Sequence, residues 1–78
     1  MRAADTLEFV AKQLVDHPED VEVVVKDEDR QTVLELFVHD DDLGKVIGKR
    51  GRTAKAIRTL VKAAASLDGD NVHVEIVD

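Results

Sequence analysis

The segment Leu43–Leu67 reads LGKVIGKRGRTAKAIRTLVKAAASL, and the rest of the chain is read outward from it. It carries Lys45, Lys49, Arg50, Arg52, Lys55, Arg58 and Lys62 with no Asp or Glu, in a chain that has eleven basic and seventeen acidic residues. An acidic chain that gathers its cations in one segment has a dipolar surface, and that segment is where a polyanion is attracted. Inside it, Gly48-Lys49-Arg50-Gly51 places two cations between two glycines. Glycines adopt positive φ and lack Cβ, so both corners are expected to let a nucleic acid strand approach the main chain and its N–H donors. The residues after Gly51 follow a helical pattern. Gly48 to Arg52 therefore lie at a helix N-terminus, where free N–H groups and the macrodipole favour anions. A basic turn between two glycines is, taken alone, equally well explained as a solvated connection.

From Arg52 onward, at about 100° per residue, Ile57, Leu60, Val61, Ala64 and Leu67 share one helix face, with Lys55, Arg58 and Lys62 in a stripe beside it. Most charged stripes are solvated helix faces. This one continues from Lys49, Arg50 and Arg52 and lacks the acids that ordinarily balance a surface helix. Asp68-Gly69-Asp70-Asn71 ends the helix, with Gly69 as a left-handed stop. Val72, Val74 and Ile76, alternating with His73 and Glu75, then form a last strand in which His73 is exposed.

Upstream, His39-Asp40-Asp41-Asp42 has the side chains of a metal site, but consecutive residues on one turn rarely converge on one ion. Asp40 or Asp41 is better read as the cap of a short helix, Asp42 to Ile47. Before it, Thr32 to Val38 alternates as a strand, Leu34, Leu36 and Val38 on one face and Val33, Glu35 and Phe37 on the other. Val21, Val23 and Val25 alternate with Glu22, Val24 and Lys26 in an earlier strand. Asp27-Glu28-Asp29-Arg30 is the charged turn between them, without the alternating ligands and central glycine of a calcium loop.

Ala3, Ala4, Leu7, Val10, Ala11, Leu14 and Val15 recur at helical spacing and predict an amphipathic first helix. It stops near Asp16-His17-Pro18, because proline lacks the N–H and pushes His17 out of the helical region. His17 reads as a turn residue rather than a ligand. Phe9 lies off the apolar stripe, either tucked against a loop or exposed for a partner; the first is the plainer reading.

The pattern predicts an α+β fold in the order helix, strand, strand, helix, glycine loop, helix, strand, with three helices on one face of a three-stranded sheet. A chain of 78 residues has room for one domain, spanning 1–78. The absence of cysteine excludes disulfides and thiolate metal sites. Met1-Arg2 leads into an amphipathic rather than a continuous apolar run, so neither a secretory signal nor a membrane span is expected, and the expected location is cytoplasmic. Catalysis and cofactors are not expected either. Gly44 to Gly48 encloses three residues where a phosphate-binding P-loop needs four, and Arg50 stands where Ser or Thr should hold magnesium. Ser66 has no base placed near it, and His17, His39 and His73 lack metal-ligand spacing.

Val46-Ile47-Gly48-Lys49-Arg50-Gly51, with Ile57 following, resembles the I-G-x-x-G-x-x-x-x-x-I motif of KH domains. Asp16 to Val21, Gly44 to Thr59 and Val74 to Asp78 are similar to the small single-domain KH proteins of the bacterial KhpA family, so the resemblance covers essentially the whole chain. It implies the type II KH fold, α-β-β-α-α-β with a mixed sheet, and a single-stranded RNA-binding protein of the RNA-chaperone or post-transcriptional-regulator kind. It implies that the loop clamps about four nucleotides, its amides and Lys49 and Arg50 meeting phosphates. Gly44, Val46, Ile47, Ala54 and Ile57 would furnish or support an apolar groove, with the second strand as its far wall. Lys45, Arg52, Lys55 and Arg58 complete the implied RNA-binding set. Proteins of this family are also associated with self-assembly and with a larger KH-containing partner, KhpB. A homodimer or a KhpB-like partner is thus the expected protein partner, and an interaction subunit with secondary RNA contact is the alternative. No small-molecule substrate is implied.

Overall fold

In the computed structural model, which describes residues 1–78, the elements follow the expected order. Helix α1 spans Arg2–Leu14, strands β1 and β2 span Glu22–Glu28 and Gln31–Phe37, helices α2 and α3 span Leu43–Ile47 and Arg52–Leu67, and strand β3 spans Val72–Ile76. Single 3-10 turns occupy Pro18–Asp20, Asp40–Asp42 and Lys49–Gly51.

Helix α1 buries Ala3, Leu7 and Ala11, one residue per turn along a single stripe. It ends as Val15 turns extended, and Pro18 opens the following 3-10 turn. Phe9 points roughly 160° away from the stripe and is 65% exposed. The expectation that it tucks against a loop is therefore corrected.

Strands β1 and β2 pair antiparallel from Glu22↔Phe37 to Glu28↔Gln31. Asp27 and Glu28 belong to the ladder rather than to the turn, whose tip is only Asp29-Arg30, with Asp29 at φ 50°. Strand β2 also pairs parallel with β3, Leu34 opposite Val74 and Leu36 opposite Ile76, so β2 is central in a mixed sheet ordered β1-β2-β3. A parallel pair needs a crossover, and α2, the glycine loop and α3 supply it.

The register turns Val23, Leu34, Leu36, Val72 and Val74 toward the helices. There they meet Leu7 and Ala11 of α1, Val46 of α2 and Ile57, Val61 and Ala65 of α3 in one core. Each fully buried Leu or Val in it contributes about 1.5–3 kcal/mol relative to exposure.

On α3 the buried stripe is Ala54, Ile57, Val61 and Ala65. Leu60 and Leu67, expected on the inner face, are 48% and 74% exposed. The small Ala54 and Ala65 let α3 lie close to its neighbours, and this sets the inner face roughly 100° away from Leu60. The helix ends in a Schellman motif, with Gly69 at φ 73°. The Asp70 N–H donates to the Ala65 carbonyl at 2.9 Å and the Gly69 N–H to the Ser66 carbonyl at 3.1 Å. No helix is long and apolar enough to cross a membrane.

Candidate nucleic-acid interface

The glycine loop is wound by three positive φ angles: Gly48 at 75°, Arg50 at 60° and Gly51 at 71°. Arg50 and Gly51 are consecutive left-handed residues, and the turn is closed by the Gly51 N–H on the Gly48 carbonyl at 3.2 Å and by the Arg52 N–H on the Lys49 carbonyl. The two glycines differ in kind. A Cβ on Gly48 would lie 2.2 Å from Thr53 Oγ1 and 2.9 Å from the Thr53 nitrogen, so that corner is filled by the first turn of α3. A Cβ on Gly51 would meet nothing within 4 Å. A side chain would therefore find room at Gly51 but not at Gly48.

Lys49 and Arg50 project from the loop and are exposed, as are Arg52 and Lys55 in the first turn of α3 and Lys62 further along. None of the five makes an ion pair with a carboxylate. Lys45 and Arg58 stand apart from this group. Lys45 Nζ hydrogen-bonds the Asp16 carboxylate and approaches Asp42 Oδ1 at 3.5 Å. The bond to Asp16, with help from Asp42, raises its pKa above the usual 10.5. Arg58 is partly buried, and its Nε donates to the Val74 carbonyl at 3.2 Å, tying α3 to β3. Both are held by contacts within the fold, unlike the free cations the sequence pattern suggested.

Of the residues expected around an apolar groove, Val46, Ala54 and Ile57 are buried beneath the loop, while Gly44 and Ile47 reach the surface. The second strand cannot be a far wall through its edge, because both of its edges are paired. Strand β3 has the open edge on the α3 side. Asn71 accepts from the Thr32 N–H and the Val77 N–H donates to Leu36, both at 3.0 Å. By alternation, the backbone groups of Val72, Val74 and Ile76 point outward. Along the outer face of α3 runs a shallow depression of about 540 Å³ lined by Arg52, Lys55, Ala56, Thr59, Leu60 and Ala63.

Sequence reasoning missed Asp42. It is the one polar residue in the buried set, and its carboxylate accepts from the Asp16 N–H at 3.2 Å, the His17 N–H at 2.9 Å and His17 Nδ1 at 3.0 Å. Burial alone would raise its pKa. The hydrogen bonds from Asp16 and His17 outweigh burial and bring it to about 2. His17 is raised in turn, chiefly by its hydrogen bond to Asp42. The capping expected of Asp40 or Asp41 is not seen. His39 Nδ1 instead accepts the Asp41 N–H at 3.0 Å, and α2 has no side-chain cap bond. The only local sign of this cluster was the three-residue spacing of Asp42 and Lys45.

A family model described as the KhpA/KhpB KH domain matches residues 4–76. The RNA-binding protein KhpA of Leifsonia xyli subsp. xyli is 56% identical over 75 residues, covering 96% of each chain. That of Bacillus subtilis is 49% identical over 74 residues, covering 95% of this chain and 90% of its own. Among solved structures, Era in complex with MgGDPNP and nucleotides 1506–1542 of 16S ribosomal RNA aligns with a TM-score of 0.70 at 23% identity, over 95% of this chain and 28% of that one. That likeness carries the fold, and the chain spans under a third of that protein's length. With the family pattern present from residue 4 to residue 76 and half or more of the positions shared with several relatives, the chain belongs to the KhpA/KhpB family of KH-domain proteins.

Proposed function

We propose that this chain binds single-stranded RNA at the Gly48–Gly51 loop and the first turn of α3. The observation that carries this is the exposed, unpaired set Lys49, Arg50, Arg52 and Lys55 gathered at a helix N-terminus in a chain of net charge −6. The open corner at Gly51 gives a phosphate room beside the main chain. Val46, Ala54 and Ile57 brace the loop from below, and Gly44 and Ile47 flank it. Bases then lie toward the outward edge of β3, with Arg58 between helix and strand. The relatives' names, RNA-binding protein KhpA, support this assignment. Both aromatic side chains sit elsewhere, Phe9 on the outer face of α1 and Phe37 on β2, so no ring is placed to stack on a base. Phosphate contacts therefore dominate, and affinity is modest and salt-sensitive. No cofactor or catalytic group takes part, and a single domain over residues 1–78 acting in the cytoplasm goes with this reading. The test is the exchange of Lys49 and Arg50 for aspartates, with affinity for a labelled single-stranded RNA read by fluorescence anisotropy. Binding should be lost with the circular dichroism spectrum intact; unchanged affinity overturns the assignment.

A second reading, self-association or pairing with a KhpB-like KH protein, is favoured by a different observation. Leu60 and Leu67 are exposed on α3, and Ala56 and Ala63 beside them let another surface approach closely. Two linked RNA sites raise effective concentration, so the two readings are compatible.

A further inference from the structure

We propose that Asp42 and His17 are positioning residues for the loop: the buried carboxylate clamps α2 onto the turn between α1 and β1, and the loop takes its place from α2. This rests on the RNA-binding reading for its consequence, but not for its geometry.

Helix α2 is five residues long and buries only Val46. Besides Val46 only Leu43 of this helix packs against the core, a small apolar contact for an element that must carry the loop. What surrounds its N-terminus is unusually specific for so short an element. The Asp42 carboxylate is inaccessible to solvent, binds two backbone N–H groups and one ring nitrogen from the Asp16-His17 turn, and faces Lys45 of α2 at 3.5 Å. Lys45 closes the ring by bonding Asp16. The His17 ring stacks on His39, centroids 4.0 Å apart and planes within 14°, and His39 holds the 3-10 turn that leads into Asp42. At the other end of α2 the Gly48 N–H bonds the Gly44 carbonyl at 2.8 Å, so the first residue of the loop hangs directly from the clamped helix. No buried polar side-chain atom is left without a partner.

A buried carboxylate is a poor choice for stability alone, since an apolar side chain of like volume often does as well. Its hydrogen bonds are directional and select one orientation of α2, which an apolar contact does not. The groups that face His17 are Asp42, the stacked His39 ring, Glu19 and Asp20 of the following 3-10 turn, and Lys45 through their shared carboxylate. Protonated, His17 gives Asp42 a charged donor; neutral, it leaves Lys45 as the only cation on that carboxylate. The grip on α2 is therefore tightest when His17 is charged.

The experiment follows the backbone amide signals of Gly48, Arg50 and Gly51 by nitrogen–proton NMR as pH is raised, alongside the His17 ring protons. In the native protein without RNA, these amides should shift with the midpoint of His17, and His17→Gln, a neutral donor at every pH, should remove that midpoint from them. Loop amides that ignore the His17 midpoint, or keep it in His17→Gln, overturn the positioning role whatever RNA does. Affinity for a fluorescein-labelled oligouridylate is then measured over the same range. It should fall as His17 loses its proton, and Asp42→Asn should weaken it roughly tenfold, the size of one lost charge-assisted hydrogen bond. Loop amides that follow His17 while binding is insensitive to Lys49→Asp with Arg50→Asp leave the positioning role standing and overturn the RNA reading instead. Should Asp42→Asn fail to fold, His17→Gln alone decides.

Discussion

Gly48 and Thr53 occupy what would otherwise be one volume: a Cβ on Gly48 falls 2.2 Å from Thr53 Oγ1 and 2.7 Å from Thr53 Cβ. The absent side chain at position 48 thus serves packing as well as backbone conformation, whereas at position 51 it serves conformation alone. Gly51→Ala should cost about 1–2 kcal/mol, the left-handed strain of a residue with a Cβ. Gly48→Ala should cost about 3 kcal/mol or more, because overpacking adds to the strain. Thr53→Ala should rescue Gly48→Ala only in part, since the Thr53 nitrogen remains 2.9 Å away. Urea unfolding of the three variants checks the order.

Arg50 is one of two non-glycine residues with positive φ, and it is exposed. Arg50→Asn keeps a residue that tolerates the left-handed region and removes the cation. Stability should rise by up to about 1 kcal/mol while RNA affinity falls. Opposite signs in thermal melting and anisotropy distinguish a binding residue held in strain from a structural one.

Lys45 and Lys55 are ten positions apart on adjoining helices, but only Lys55 lacks a carboxylate partner. Replacing Lys55 by alanine should lower the slope of log affinity against log salt by about 0.7, the value for one single-strand phosphate contact. Lys45→Ala should leave the slope nearly unchanged and lower the melting temperature. Binding measured at several salt concentrations separates the two.

Stability should depend on pH through His17 and Asp42 in opposite directions. His17 has a pKa raised above 6.5 in the folded chain, so its contribution is complete below that value and is lost as pH rises through the folded pKa. Asp42 is lowered from 3.8 to about 2, so its contribution is complete above 3.8 and is lost as pH falls toward about 2. Chemical denaturation across pH should show a decline as pH rises beyond 6.5 that His17→Gln abolishes, and an acid decline that remains.

Leu60→Asp and Leu67→Asp place charge on exposed positions of α3 outside the buried core. Both should leave the monomer folded and shift light-scattering mass on a sizing column toward one chain. Unchanged mass above that of a monomer would place self-association on another surface.

The order of elements, the end of α1 ahead of Pro18, the left-handed stop at Gly69 and the glycine loop before α3 were legible in the residues alone. Each depends on periodicity or backbone preference within a few neighbouring positions, and such preferences survive without knowledge of the rest of the fold. The tertiary structure decided which cations are free, which glycine has room for a side chain and which α3 leucines face solvent. It also placed β2 at the centre of the sheet and buried Asp42. The partners responsible are distant in sequence: Asp42 with His17 at 25 residues, Lys45 with Asp16 at 29, Arg58 with Val74 at 16. A charge pattern marks where cations gather, but whether a given cation reaches solvent depends on the groups that folding brings beside it.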